Sequence, residues 1–436
     1  MVCPPEAYLQ VGRVLAGQRR LAAGVDAAAF ASARAYAGQV RPAAPYELLC
    51  PGVVRMDPAA AAVLERTAIA GPTIPMPSVP GLPARLRLGG GDVYTAFGAS
   101  VLGPVVGGFA HWAWRQWRPL AGGATLAAVM RDGGLLGRAV ARRAGQDVPE
   151  VWLSRSLCLL GAVADAGDRE ALRNLLVRAR RRPATVAEAL DELGLVGERV
   201  PGLVPSAPLA GEGLERLLDW LAGTPAAAER VAAASGAARR AILEHLEAAG
   251  ALRGTMVGLI DVGYSGTIQR CLTRITALKG TPVRTLGLYL GTSPGAVWAA
   301  GRDAMVRGFA VQYGAPDWLA APLIRARAVL ELLLGAPLGP LAGYDRAAPR
   351  LSPPDYPAGQ REATLRMQDA ALANARPAGR AEVRRRLARL LMAPTAEEVR
   401  HFGGWLYQDH LTVARPQPLA ATTGDVTLWP GAEAFR

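Results

Sequence analysis

The chain predicts an α/β fold, a mainly parallel sheet flanked by helices, and three observations predict it. Apolar runs of strand length alternate with longer helical stretches, the pattern of a sheet covered on both faces. Two of those runs end in an aspartate and glycines that lead straight into a helix, as strand-to-helix turns do. The composition is 51% hydrophobic but only 6% aromatic, so the core must be built mostly from Ala, Leu and Val. Alanine is the strongest helix former, which makes a helix-rich structure the expectation.

The 436 residues are enough for two or three units of ~100–200 residues each. Residues 1–90 read as a separate helical and proline-rich segment. A helical stretch over 5–37 precedes a proline-rich passage at 71–83 that cannot be regular helix. Residues 91–345 read as the α/β core. It opens with a helix from about Gly98 to Arg118, whose Trp112, Trp114 and Trp117 are expected to pack a core. The first strand is Ala124–Met130, followed by the turn Arg131-Asp132-Gly133-Gly134 and a helix over Leu135–Ala144. Val151–Leu153 is the next strand, closed by Ser154 and Arg155. A helical insertion occupies about 156–250, broken near Pro183 and between Pro201 and Pro208. Within it, Thr185 and Glu188 have the spacing of a capping box. Thr255–Ile260 is the most strand-like run, ending in a turn from Asp261 to Thr267. A helix to Leu278 and a strand over Thr285–Leu290 follow. Residues 346–436 read as a C-terminal helical segment.

The formal net charge is +13, and Lys279 is the single lysine among 49 basic residues. Arginine's planar fork suits phosphate and carboxylate. The basic residues are spread along the chain. Their two knots, at 178–182 and 384–386, lie in helical patterns and read as solvated helix faces, so nucleic acid is not a favoured partner. Cys3, Cys50, Cys158 and Cys271 form no CxxC pair, which suggests neither a zinc knuckle nor a disulfide framework. The N-terminus has no signal-peptide pattern. The apolar stretch Val101–Trp114 is interrupted by glycine and proline and is shorter than the ~20 residues of a membrane span. A cytoplasmic protein without a membrane span is expected. His111, His245, His401 and His410 lack metal-ligand spacing, and His245 reads as a surface or half-buried helix residue. No GxSxG elbow or GxxxxGK[ST] loop occurs.

In a parallel sheet, ligands sit at the carboxyl ends of the strands, where both glycine turns fall. Gly263 and Gly266 permit close backbone approach, and the following helix offers unpaired amides, so Asp261–Thr267 reads as a phosphate site. Ser265 and Thr267 add hydroxyls, and Asp261 can hold ribose hydroxyls or a hydrated magnesium ion. At the first turn, Gly133 and Gly134 shape the loop, Arg131 grips an anion, and Asp132 caps the helix or orients Arg131. Ser154 and Arg155 complete the anion set. Glu331, charged within an apolar helix over 328–334, should pair with Arg155 or Arg131.

Ala128–Leu136, then Val151–Arg155, then Leu259–Gln269 with its Asp-x-Gly-x-Ser-Gly-x-x-Gln pattern, resemble one bacterial family. These are the HAD-superfamily hydrolase-like proteins encoded beside surface-polysaccharide genes. The resemblance covers about residues 90–345, including Gly98–Gly108, Ala237–Gly250 and Glu331–Pro337. It implies work on a phosphorylated sugar or nucleotide in surface-polysaccharide or glycoconjugate metabolism. Fuller members carry an Asp-x-x-Asp-Thr nucleophile loop that this sequence lacks, and the second aspartate of such chemistry is replaced by Gly263. A fold-level resemblance to type I phosphoribosyltransferases rests on Arg131–Gly134 and on Asp261–Thr267. It implies a Rossmann-like or phosphoribosyltransferase-like sheet and transfer with departing pyrophosphate, with Asp261, Asp132 and Arg131 as the reacting set. One acidic residue before Gly263 is missing, and the Thr-Gly-x-Thr spacing is shortened to Ser265–Thr267. Transfer is thus favoured over phosphohydrolysis or over a non-catalytic scaffold for a glycosyltransferase, and the oligomeric state stays open.

Overall fold

A computed structural model describes residues 92–435, except for 179–183, 294, 302, 313–316, 318, 355, 408–415, 421 and 424–425. The expectations for residues 1–90, for Cys3, Cys50 and His410, and for most of the 178–182 arginine knot lie outside the described residues.

In chain order, α1 (Val93–Leu120) leads into β1 (Ala124–Met130), α2 (Gly134–Ala144) and β2 (Glu150–Trp152). The insertion then runs through α3 (Arg155–Gly161), α4 (Arg169–Arg173), α5 (Val186–Glu192), α6 (Gly211–Gly223) and α7 (Pro225–Ala248). The chain returns to the sheet as β3 (Met256–Tyr264), α8 (Thr267–Leu278), β4 (Arg284–Thr292), α9 (Ala296–Ala299) and β5 (Ala304–Val311). Helices α10 (Ala320–Arg325) and α11 (Arg327–Leu334) follow, then a hairpin of β6 (Leu341–Asp345) and β7 (Ala348–Leu351). Three helices come next: α12 (Ala358–Ala373), α13 (Arg380–Met392) and α14 (Ala396–Phe402).

The sheet is ordered β2-β1-β3-β4-β5, and every neighbouring pair is parallel. That is a doubly wound order whose winding reverses between β1 and β3, and a crevice opens where it does so. Alternate side chains separate the two faces, as strand geometry requires. Leu126, Ile260, Val262, Leu286 and Leu288 pack with α1, α2 and α10–α13. Ala127, Val129, Val257 and Leu259 pack with α3–α8.

Several boundaries differ from the expectation. Helix α1 is longer than expected: its 28 residues are long and apolar enough to cross a membrane, but 67% of its most apolar window is buried inside the protein. A Cβ at Gly98 would lie 2.0 Å from the Met367 carbonyl oxygen, and one at Gly107 2.2 Å from that of Arg376. Glycine there lets α1 lie directly on α12 and the chain that follows it. Strand β3 runs four residues past Ile260, and β5 was not expected. Arg307 and Gly308 interrupt the apolar pattern of β5; Arg307 bonds Gln116 of α1.

The tryptophans do pack a core: Trp117 is buried, and Trp112 and Trp114 lie against the same cluster. The capping box at Thr185 and Glu188 is complete. His245 is more buried than expected. The Trp152 amide donates to its Nε2 (2.8 Å), its Nδ1 donates to the Ala347 carbonyl (2.8 Å), and its ring stacks on Tyr344. Burial keeps the ring neutral, lowering its pKa below 6.5. The result is a latch fixing the β6–β7 hairpin to β2. The 384–386 knot is not simply a solvated face. Arg384 donates to Asp317 and to the Ala310 carbonyl, and Arg386 to Glu382 and the Ser100 carbonyl. Cys158 and Cys271 are free and buried, and burial pushes the Cys271 thiol up to about 12, so it is no nucleophile near neutral pH.

Candidate functional site

The first turn is built for close approach. Gly133 has φ −82°, which any residue can adopt, but a Cβ there would sit 2.3 Å from the Ile260 carbonyl oxygen and 2.7 Å from that of Val129. The turn therefore presses onto β3. Gly133 and Gly134 are both buried, and Gly134 packs on the Met130 sulfur. Their part is packing, which is how they shape the loop. The N-cap of α2 is Gly133, which has no side chain to cap it. The chain after α11 straps onto this turn: the Ala336 amide donates to the Arg131 carbonyl (3.0 Å), and Arg131 Nη1 to the Leu338 carbonyl (3.4 Å).

The second turn is shorter than expected, because most of it is strand. Asp261, Val262, Gly263 and Tyr264 belong to β3, with Asp261 paired to Tyr289, Gly263 to Gly291 and Tyr264 to Thr292 of β4. Gly263 has φ 104°, and a Cβ there would lie 2.5 Å from Tyr289 Cβ, so it serves the sheet and leaves no room for a second aspartate. The turn proper is Ser265 and Gly266. Gly266, at φ 66°, is the N-cap of α8 and provides no side-chain cap, so the first α8 amides point to the carboxyl edge without one. Ser265 Oγ and Thr267 Oγ1 are 3.1 Å apart beside them. Gln269, the last residue of the motif, is a rivet. It is fully buried, donates to Thr285 and the Met305 carbonyl, and accepts from the Tyr289 hydroxyl.

The two turns do meet. Burial first, then Asp132 and Glu331, push the Asp261 carboxyl well above the ordinary 3.8, while the Val262 amide and Arg155 oppose the rise. Asp132, Asp261 and Glu331 thus share one electrostatic neighbourhood at the ends of β1 and β3. Arg155, the first residue of α3, makes no hydrogen bond or ion pair with the described residues, although its charge reaches Asp261. Ser154 caps α3, accepting from the Leu157 amide at 3.2 Å, and keeps its own hydroxyl proton to donate. Glu331 does not pair with Arg155 or Arg131 as expected; it accepts a hydrogen bond from the Tyr407 hydroxyl.

Two site residues escaped the sequence reading. Tyr264 adopts φ 92°, unusual for a bulky side chain and costing on the order of 1–3 kcal/mol, and such strain gathers at functional sites. Its hydroxyl is buried with no hydrogen-bond partner among the described residues, a further cost of about 1–3 kcal/mol. Burial and then Glu331 raise its pKa well above 10, with Asp132 and Asp261 adding and Arg327 opposing. Tyr407 arrives from beyond α14, and nothing in its local sequence marks it. A groove beside Arg131, Asp132 and Glu331 is completed by Pro337, Tyr356 and Tyr407.

The crevice can therefore do two kinds of chemistry. Helix amides without a side-chain cap, hydroxyls and an arginine with no ion pair among the described residues can stabilise an anion, while carboxylates within electrostatic reach of one another can hold a cation or move a proton. Among the described residues no three His, Cys, Asp or Glu side chains are grouped to enclose a metal. The acid pair fits a hydrated divalent ion held by one or two carboxylates, with water and substrate phosphate filling the other positions. No protein-family model matches this chain, and no curated protein matches it.

Proposed function

We propose that the chain binds a phosphorylated sugar or nucleotide at the β1/β3 crevice and transfers its sugar to an acceptor, in surface-polysaccharide or glycoconjugate metabolism. The observation that carries this reading is the meeting of Asp132 and Asp261 at the switch point, beside Arg155, whose charge reaches Asp261 and which makes no ion pair with the described residues.

On this reading the phosphate or diphosphate lies toward α3 and α8. Arg155 takes its charge bidentately, Ser154, Ser265 and Thr267 donate hydroxyl protons, and the first α8 amides complete the cradle. Asp261 and Asp132 would hold a magnesium ion, which would supply charge neutralisation for the departing group. The bond from the anomeric carbon to the phosphate oxygen breaks with its electrons going to phosphate. The acceptor oxygen bonds that carbon, and its proton passes to a carboxylate oxygen of Asp132 or Asp261 that is left uncovered. Such fixed donors serve because they are already oriented toward the charge that develops.

Thermal unfolding with inorganic phosphate, pyrophosphate, phosphoribosyl pyrophosphate and sugar nucleotides, each with and without magnesium, tests the proposal. A ligand at a hundred times its Kd should add about 2.7 kcal/mol of stability, and Arg155→Ala should abolish most of that gain. If none of these ligands raises the melting temperature of the wild-type chain, the proposal fails.

A further inference from the structure

We propose that the groove lined by Asp132, Glu331, Pro337, Tyr356 and Tyr407 is a second subsite, holding the uncharged, hydroxyl-bearing ring of the substrate. This rests on the phosphate reading above and assigns the other half of the ligand.

The groove and the anion cradle lie on opposite sides of the sheet. Helices α3 and α8 pack on one face, whereas α11, which carries Glu331, packs on the other. Asp132 and Asp261 stand at the strand ends between them, so one ligand passing over the strand tips would reach both. The groove's chemistry differs from the cradle's. Among its described lining residues it presents two carboxylates, Asp132 and Glu331, and one cation, Arg131. Carboxylates each offer about four lone-pair positions and accept well from adjacent hydroxyls. Pro337 and the tyrosine rings supply apolar surface for the C–H face of a ring, the mixture typical of small-molecule sites.

An independent observation points the same way. Tyr264 is 7% exposed, and its buried hydroxyl lacks an acceptor among the described residues, yet it lies within electrostatic reach of Glu331, Asp132 and Asp261. A donor left without a partner among carboxylates is satisfied when a ligand oxygen, or a water carried with it, enters the cluster. Tyr407 meanwhile fixes the Glu331 carboxylate by donating to Oε2.

The test compares inorganic phosphate with ribose 5-phosphate and glucose 1-phosphate by titration calorimetry on the full chain. At least one sugar phosphate should bind wild type about tenfold more tightly than inorganic phosphate, the scale of one hydrogen bond to a charged group. Glu331→Gln, which can still accept from Tyr407, should bring that ratio close to one and leave inorganic phosphate affinity unchanged. Tyr407→Phe keeps the ring and should reduce the ratio less. The subsite is overturned if the wild-type ratio is already near one, or if Glu331→Gln leaves it unaltered or weakens both ligands equally. Preference for an amine-bearing ring over a hydroxylated one also overturns it. If inorganic phosphate itself does not bind, the phosphate reading falls and the subsite falls with it.

Discussion

The turns after β1 and β3 share one sequence grammar, an apolar run, an aspartate and two glycines before a helix, yet they are built differently. After β1, glycine is required for space: Gly133 has an ordinary φ, but its missing Cβ lets the turn touch the backbone of β3. After β3, glycine is required for conformation: Gly263 and Gly266 both have positive φ, and the strand continues past its aspartate. The first turn is a wall pressed into the protein, and the second presents hydroxyls and helix amides. Similar spacing therefore does not imply similar duty, and the cradle belongs to the second turn.

The largest effect should come from breaking the wall. Gly133→Ala forces a methyl against two backbone carbonyls and should cost more than about 3 kcal/mol, or prevent folding, in chemical denaturation. A cost below 1 kcal/mol would mean that the β1 turn does not press on β3. Next, Asp261→Asn should stabilise the protein by roughly 1–2 kcal/mol at pH 7, as relief of a functional site commonly does. The sign follows from the raised carboxyl. Its penalty is absent below the ordinary value of 3.8 and grows as pH rises toward the raised folded value, so the gain should vanish near pH 4. Melting temperatures across that range check it, and a gain independent of pH would locate the effect elsewhere.

A smaller effect should follow at the second turn. Gly266→Asn should cost about 1 kcal/mol, because asparagine tolerates left-handed backbone and only the Ala299 methyl must shift. The same substitution at Gly133 should be far worse, and equal costs would erase the contrast between the turns. Smallest of all, Ser265→Ala should change stability by no more than about 0.5 kcal/mol while weakening phosphate binding severalfold in the same titration.

Much of the architecture was legible because local patterns specified it. Ala124–Met130 is an apolar run broken only by Thr125 and closed by Asp132 and two glycines, and its strand has those limits. Thr267–Leu278 carries a clear helical face and ends where expected. The end of β3 was not legible, because Gly263 and Tyr264 look like turn residues. They are held in the strand by pairing with Gly291 and Thr292, which local sequence does not specify. The acid pair could be anticipated from two aspartates at strand tips. The groove could not, since Glu331, Tyr356 and Tyr407 come from three separate segments that meet only in the folded chain.

The place of the insertion sets an order in time. Helices α3–α7 lie between β2 and β3, so a chain leaving the ribosome presents Asp132 on the order of ten seconds before Asp261, at ~5–20 residues per second. The central strand of the sheet is thus third to arrive, and the segments bearing Glu331 and Tyr407 come later still. Until then β1 exposes an unpaired edge, the kind of surface that invites wrong pairing. The repulsion between the carboxylates also arises only once β3 docks beside β1. Newly made chains therefore gain their core and their strained centre together, once β3 docks, and the crevice is completed last.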